Sequence, residues 1–283
     1  MTTTIADRYD RDAELYDRWW APVLATAAGR LLDRVEPWVA ASVREGRPLH
    51  VIDIGTGSGA LAIDAASRWP GATVTAVDVA AGMLEVAADR AARMLPDSDR
   101  DRIRWVEGSA DRMPLDDATA DLCLSSFVLQ LVPDRSLALR EIRRILRPGG
   151  RLVFVTWAAG REVFEPADEF DEAVYDLEIE EEEYEEESRA GDLRSVRATE
   201  RELRAAGFRR VEALSDRLDH LWTREDYLGY KVRYDESALM RELDETVAAR
   251  LEQRARARLA GLPAEAFRWR PPIIYARGDR ADR

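Results

Sequence analysis

Apolar residues recur at three- and four-residue spacing through residues 1–47, most clearly in "AELYDRWWAPVLATAAGRLLDRVEPWV", which predicts helix. From residue 49 the pattern changes to short apolar runs separated by amphipathic stretches. "LHVIDI" (49–54), "ATVTAVDV" (72–79), "RIRWVEG" (102–108), "ADLCLSS" (120–126) and "RLVFVTW" (151–157) predict five strands. Between them "GALAIDAASRW" (59–69), "AGMLEVAADRAARML" (81–95) and "RSLALREIRRIL" (135–146) predict helices, and "RPGG" (147–150) a turn before the fifth strand. Apolar strands alternating with helices predict an α/β fold, a parallel sheet wound on both faces.

After Trp157 the alternation breaks. Residues 160–197 contain "EIEEEEYEEE", which reads as a solvated helix or a disordered loop. "TERELRAAGF" (199–208) then predicts a helix opened by Thr199 with Glu202 three residues on, and "RRVEAL" (209–214) a strand. A helical insert is expected at 223–260 and a last strand at "PPIIYARG" (271–278). With no internal repeat and no long linker, residues 1–283 read as one domain. Its parts are an N-terminal helical cap (1–47), a core (48–158), an acidic insert (159–198), a helical cap insert (219–269), and two segments that complete the core (199–218 and 270–283).

Composition narrows the function. The 283 residues are 46% hydrophobic, enough for a core of ordinary size. No apolar run approaches a membrane span, and "MTTTIADRYDRD" lacks the apolar centre of a secretory signal, so a cytoplasmic protein without membrane insertion is expected. The formal charge is −13, yet Glu162–Asp192 alone holds sixteen acidic residues and one arginine, a local −15 that leaves about +2 elsewhere. Nothing here resembles a basic nucleic-acid footprint. The single cysteine, Cys123, sits in an apolar run and reads as a buried small hydrophobe. No metal-ligand cluster stands out.

The informative stretch is "HVIDIGTGSGALAIDAA", His50–Ala66. A strand that ends on glycines and enters a helix offers backbone N–H groups to a ligand with no side chain in the way. Gly55 turns the chain, Gly57 lets the ligand approach, and Gly59 starts the helix close to the sheet. Asp78, ending the second strand, is placed to accept hydrogen bonds from ribose hydroxyls. Dinucleotide folds favour Gly-x-Gly-x-x-Gly, whereas here the glycines stand at every second position behind Asp53. That carboxylate would repel a pyrophosphate and suit a ligand bearing an ammonium group, as S-adenosylmethionine (SAM) does.

These residues, with "VTAVDVAAGML", "WVEGSADRMPLDDATADLCLSSFVLQLVPD", "EIRRILRPGGRLVFVTW" and more loosely "ELRAAGFRRVE", resemble the class I SAM-dependent methyltransferases, within them the type 11, ubiquinone/menaquinone-biosynthesis-like group. The resemblance covers about residues 49–214. It implies a Rossmann-like seven-stranded sheet with an antiparallel last strand, SAM as cofactor, S-adenosylhomocysteine (SAH) as product and a small-molecule acceptor. It also implies that Gly55, Thr56, Gly57 and Gly59 hold the methionine portion, that Asp53 acts on the amino group, directly or through water, and Asp78 on the ribose, and that Val79 and Met83 lie beside the adenosine. "GSAD" departs from the family's Gly-Asp-Ala turn, leaving Ser109, the Ala110 backbone or Asp111 for the adenine contact. Ser126 matches a position facing the methionine moiety.

No residue is compelled to be a general base. His220 and Tyr16 are the candidates; Tyr9, Trp19 and Trp20 accompany Tyr16 on helices that close over SAM in this family, with packing as the reading favoured for the tryptophans. His50 reads as structural. Gln130, where relatives often carry histidine, would hydrogen-bond an acceptor without serving as a base. The aromatic residues Trp222, Tyr227, Tyr230, Tyr234, Phe267 and Trp269 would line an apolar pocket, form the cap's own core, or make a homodimer contact. The acidic segment is a solvated cover or a lid for a cationic acceptor. Two alternatives stay open: a non-catalytic SAM-binding or partner protein, and a nicotinamide oxidoreductase, for which Tyr227-x-x-x-Lys231 is a chance match of spacing.

Overall fold

In the computed structural model, residues 5–44, 46, 48–160, 162–179 and 189–282 are described. Most of "EIEEEEYEEE" (180–187) lies outside the described residues. Three helices lead, α1 (Ile5–Arg11), α2 (Ala13–Trp19) and α3 (Ala21–Arg44). Then come β1 (Leu49–Ile54), α4 (Ala60–Arg68), β2 (Ala72–Asp78), α5 (Ala81–Met94), the short α6 (Asp97–Arg100), β3 (Ile103–Glu107), β4 (Ala120–Ser126), α7 (Arg135–Ile145) and β5 (Leu146–Trp157). Helices α8 (Glu165–Tyr175) and α9 (Val196–Ala205) precede β6 (Arg209–Arg217) and the two-residue β7 (His220–Leu221). A cap of α10 (Arg224–Tyr230), a π-turn (Lys231–Asp235), α11 (Ser237–Glu242) and α12 (Glu245–Ala260) follows, then β8 (Arg268–Trp269) and β9 (Pro272–Asp279).

The seven-stranded sheet has the order β3-β2-β1-β4-β5-β9-β6. Its first five strands pair in parallel, and β9 runs antiparallel to both neighbours, as expected of the last strand. Alternation along β1 shows why both faces are covered. Leu49 and Val51 pack with α3 and α4, while Ile52 and Ile54 pack with α7. Asp53 therefore shares the α3–α4 face, at the carboxyl end of its strand. The alanines of α4, with Ala62, Ala65 and Ala66 fully buried, let that helix lie close to the sheet.

Four elements differ from expectation. Helix α9 starts at Val196 and is capped by Ser195, whose Oγ accepts Ala198 N (3.2 Å), so Thr199 lies inside the helix rather than opening it. The expected "RPGG" turn lies inside β5: pairing jumps from Ala120↔Leu146 to Leu122↔Arg151, so residues 147–150 loop out within a continuous strand. Gly149 supplies the positive φ this requires (77°). The helical insert is broken by the π-turn, where Lys231 is buried between Asp235 and Glu236 (2.7 and 2.8 Å). The strand pair β7–β8 closes the base of the cap and has no signal in its sequence at two residues per strand.

At the far end of the sheet, Asp279 is buried and accepts Nε and Nη2 of Arg151 (2.6 and 2.9 Å) and Nε of Arg210 (2.8 Å). Burial would raise its acid, but the two guanidiniums hold it below the ordinary range. The stability it contributes is complete above its unfolded value of 3.8 and is lost as pH falls through the lower folded value. Asp279→Ala leaves Arg151 buried without its partner and is expected to cost about 3 kcal/mol in denaturant unfolding, at no cost to ligand binding.

Candidate functional site

The turn after β1 is a left-handed path. Gly55 and Gly57 have φ of 67° and 53°, and the N–H groups of Gly55 and Thr56 donate to Val77 O (2.8 and 2.9 Å), tying the turn to the end of β2. A Cβ on Gly55 would lie 2.3 Å from Val128 Cγ2, so the turn and the loop after β4 meet in direct contact there. At Gly57 the atoms nearest a Cβ would be those of the Tyr16 side chain, from 3.5 Å. Gly59 packs against Ala87 and Trp105 and lines neither of the two cavities that adjoin the turn.

Two buried carboxylates flank this turn. Asp78 accepts Gly57 N on Oδ2 (2.7 Å) and Ala80 N on Oδ1 (3.0 Å). Asp53 accepts Thr56 Oγ1 (2.6 Å) and Ala62 N (3.1 Å), both on Oδ2. Its Oδ1 is buried with no partner. Burial raises both acids; Asp53 reaches about 7 despite the hydrogen bonds from Thr56 and Ala62, which pull the other way. An orphaned carboxylate oxygen is costly unless a hydrogen-bond donor meets it.

Two cavities adjoin the turn. The larger, about 240 Å³, is lined by Gly55, Gly57, Asp78, Val79, Met83, Ser109, Ala110 and Ser126 from the sequence-derived set. The smaller, about 30 Å³, is lined by Asp53, Gly55, Thr56, Ser58 and Ser126 and backed by α3. Tyr16 lines both. Helices α1 and α2 are fastened over the turn: Asp10 Oδ1 accepts Gly82 N (2.6 Å), and Arg90 bridges Asp17 (2.9 Å) and Ser58 (3.2 Å). Tyr9 joins Tyr16 at the larger cavity, their rings edge-to-face at 5.8 Å, and burial raises both phenols.

Other expected residues lie elsewhere. Asp111 lines neither cavity; its turn is closed by Arg112 N donating to Ser109 O, which leaves Ser109 and Ala110 on the wall. His220 stands on β7 against Trp222 (4.5 Å between rings), its imidazolium disfavoured by burial, and is absent from the lining of both cavities. Gln130 is buried behind the wall with its amide engaged by the protein, so it is turned away from the acceptor role expected of it. Trp20 stacks on Tyr230 at 5.2 Å and contacts Trp157 and Trp269, as the packing reading holds, and Trp19 packs on Gly229. His50 bonds Thr119 O and Thr75 Oγ1 at the opposite strand end. Tyr227 and Lys231 belong to the cap and line neither cavity.

Sequence reasoning missed the apolar wall of the larger cavity: Ile5 and Ala6 from α1, and Phe127, Val128, Leu131, Val132 and Pro133 after β4. The run "FVLQLVP" carried the signal, because apolar residues past a strand's carboxyl end face the site.

Residues 52–154, which span β1 to β5, match the family described as "Methyltransferase domain". Relatives of the chain include the malonyl-[acyl-carrier protein] O-methyltransferase of Nitrosospira multiformis, 32% identical over 178 residues, covering 57% of this chain and 55% of that protein. Another is the ubiquinone/menaquinone biosynthesis C-methyltransferase UbiE of Syntrophotalea carbinolica, 34% identical over 127 residues, covering 43% and 50%. The chain spans about half the length of the curated relatives it matches. Among solved structures, the YcgJ protein from Bacillus subtilis superposes with a TM-score of 0.54 at 18% identity, covering 83% of this chain and 93% of that one. That likeness shows the fold alone, the Rossmann-like architecture expected from the sequence.

Proposed function

We propose that this chain is a SAM-dependent methyltransferase acting on a small-molecule acceptor. The observation that carries the proposal is the unpartnered Oδ1 of Asp53, a buried carboxyl oxygen in a residue that lines the small cavity behind the glycine turn. An α-ammonium group satisfies it. A dinucleotide offers no such cation, and its pyrophosphate would lie between Asp53 and Asp78.

In this reading Asp78 holds the ribose, Val79 and Met83 flank the adenine, and the wall at Ser109 and Ala110 takes its edge. Gly55 and Gly57 supply backbone, and Thr56 keeps Asp53 oriented. When bound, the cofactor supplies a methyl group on a sulfonium, already activated toward displacement. The protein's part is then to align the acceptor and keep water out, and such positioning is worth about 7–11 kcal/mol at best. Tyr9 and Tyr16 cover the site, and their raised phenols stay protonated at neutral pH, able to donate hydrogen bonds rather than remove protons. The named relatives act on O and C acceptors, so the proposal is made at the level of the reaction class.

Asp78→Asn keeps the shape and removes the charge and one acceptor. SAM affinity measured by calorimetry is expected to fall about tenfold, near 1.4 kcal/mol. Unchanged affinity would contradict the placement of the ribose.

A further inference from the structure

The wall of the larger cavity rests on a residue that does not line it. Phe127 is a non-glycine residue with φ of 55°, a left-handed backbone that persists only where its surroundings hold it. Both of its peptide groups are held. Phe127 N donates to Val155 O (2.8 Å), and Phe127 O accepts Gln130 Nε2 (2.7 Å). The other end of the same amide, Gln130 Oε1, accepts Thr156 Oγ1, and both side chains are buried, at 3% and 0% exposure. Gln130 O also accepts Gly191 N (3.0 Å), so one residue joins the wall to β5 and to the segment returning toward α9.

The consequence reaches the glycine turn. The bend at Phe127 carries Val128 into the space a Cβ on Gly55 would fill, and Phe127, Val128 and Leu131 all line the cavity. The Phe127 ring lies 4.3 Å from that of Trp157.

We infer that Gln130 is a positioning residue: clamped between Phe127 O and Thr156 Oγ1, it holds the left-handed bend that seats Val128 against Gly55 and so sets the shape of the ligand site. The inference rests on the proposed cofactor reading. It assigns Gln130 no contact with ligand and no proton transfer; its effect passes through the Phe127–Val128 backbone.

The test is a double-mutant cycle between Gln130→Met and Phe127→Gly, read as SAH affinity by calorimetry beside the thermal midpoint of each variant. Glycine adopts φ of 55° freely, so it removes the need for the clamp. Gln130→Met is expected to weaken SAH about tenfold in the natural background and less than threefold in the Phe127→Gly background. Thr156→Val, which removes one hydrogen bond at constant volume, is expected to weaken SAH about threefold and covers the case in which Gln130→Met does not fold. A lower thermal midpoint with SAH affinity unchanged, or equal losses in both backgrounds, would overturn the inference and leave the cofactor reading standing. Failure of the natural chain to bind SAH would overturn both.

Discussion

SAM affinity is expected to fall about tenfold for each pH unit below 7 and to level off above about pH 8. The cause is Asp53, whose burial moves its acid from 3.8 to about 7. Only the ionised carboxylate pairs with an ammonium group, so below that value each binding event must first remove a proton. Between pH 8 and pH 5 the expected loss is about 100-fold. Calorimetry in buffers of different ionisation enthalpy should show close to one proton released per SAM bound at pH 6 and nearly none at pH 8.5. Asp53→Asn should abolish the proton release and bind weakly at every pH. Without ligand the same group acts in the opposite sense. A raised acid favours its protonated form in the folded state, so its contribution to stability is greatest below pH 4, declines as pH rises toward 7, and stays constant above. Stability of the free chain and affinity for SAM should therefore run in opposite directions with pH at this residue. A pH-independent affinity would remove Asp53 from the ammonium site.

The second large effect separates two glycines that the sequence presents alike. Gly55→Ala places a methyl 2.3 Å from Val128 Cγ2 on a backbone with φ of 67°, adding overpacking to left-handed strain. A loss of about 3–4 kcal/mol in stability is expected, and much of it should return in Gly55→Ala with Val128→Ala, because the clash is with that one side chain. Gly57→Ala carries similar backbone strain, but the nearest neighbour of its methyl is the Tyr16 ring, at 3.5 Å. It should cost about 1–2 kcal/mol in stability yet lose SAM binding by 100-fold or more, since the methyl stands on the wall of the larger cavity. Denaturant unfolding and calorimetry on the three variants check both halves. Equal stability losses at the two positions would contradict the close contact of Gly55 with Val128 and the more open setting of Gly57.

Local signals made the central sheet legible, because strands covered on both faces leave short apolar runs that little else produces. The turn was legible for a related reason: each glycine there answers a backbone need that only glycine meets without cost, Asp78 ends β2, and Asp53 stands one residue before the end of β1. What escaped depended on distance. The loop-out of "RPGG" inside β5 is decided by pairing with β4 and β9, and β7 exists only because β8, some fifty residues on, lies beside it. His220 carried chemical promise in its residue type, but its position follows from the cap, whose packing no local pattern encodes. Gln130 could be read as polar and near the site; that its amide faces Phe127 O and Thr156 follows from a left-handed bend at a phenylalanine, which propensity alone argues against.

Whether the orphaned oxygen of Asp53 seats an ammonium group behind the glycine turn is decided by a crystal structure of the chain with SAH. The amino nitrogen is expected within about 3 Å of Asp53 Oδ1 in the small cavity, with the ribose on Asp78. An amino acid tail directed away from Asp53, or the adenosine seated anywhere but between Asp78 and Ser109, would contradict that placement.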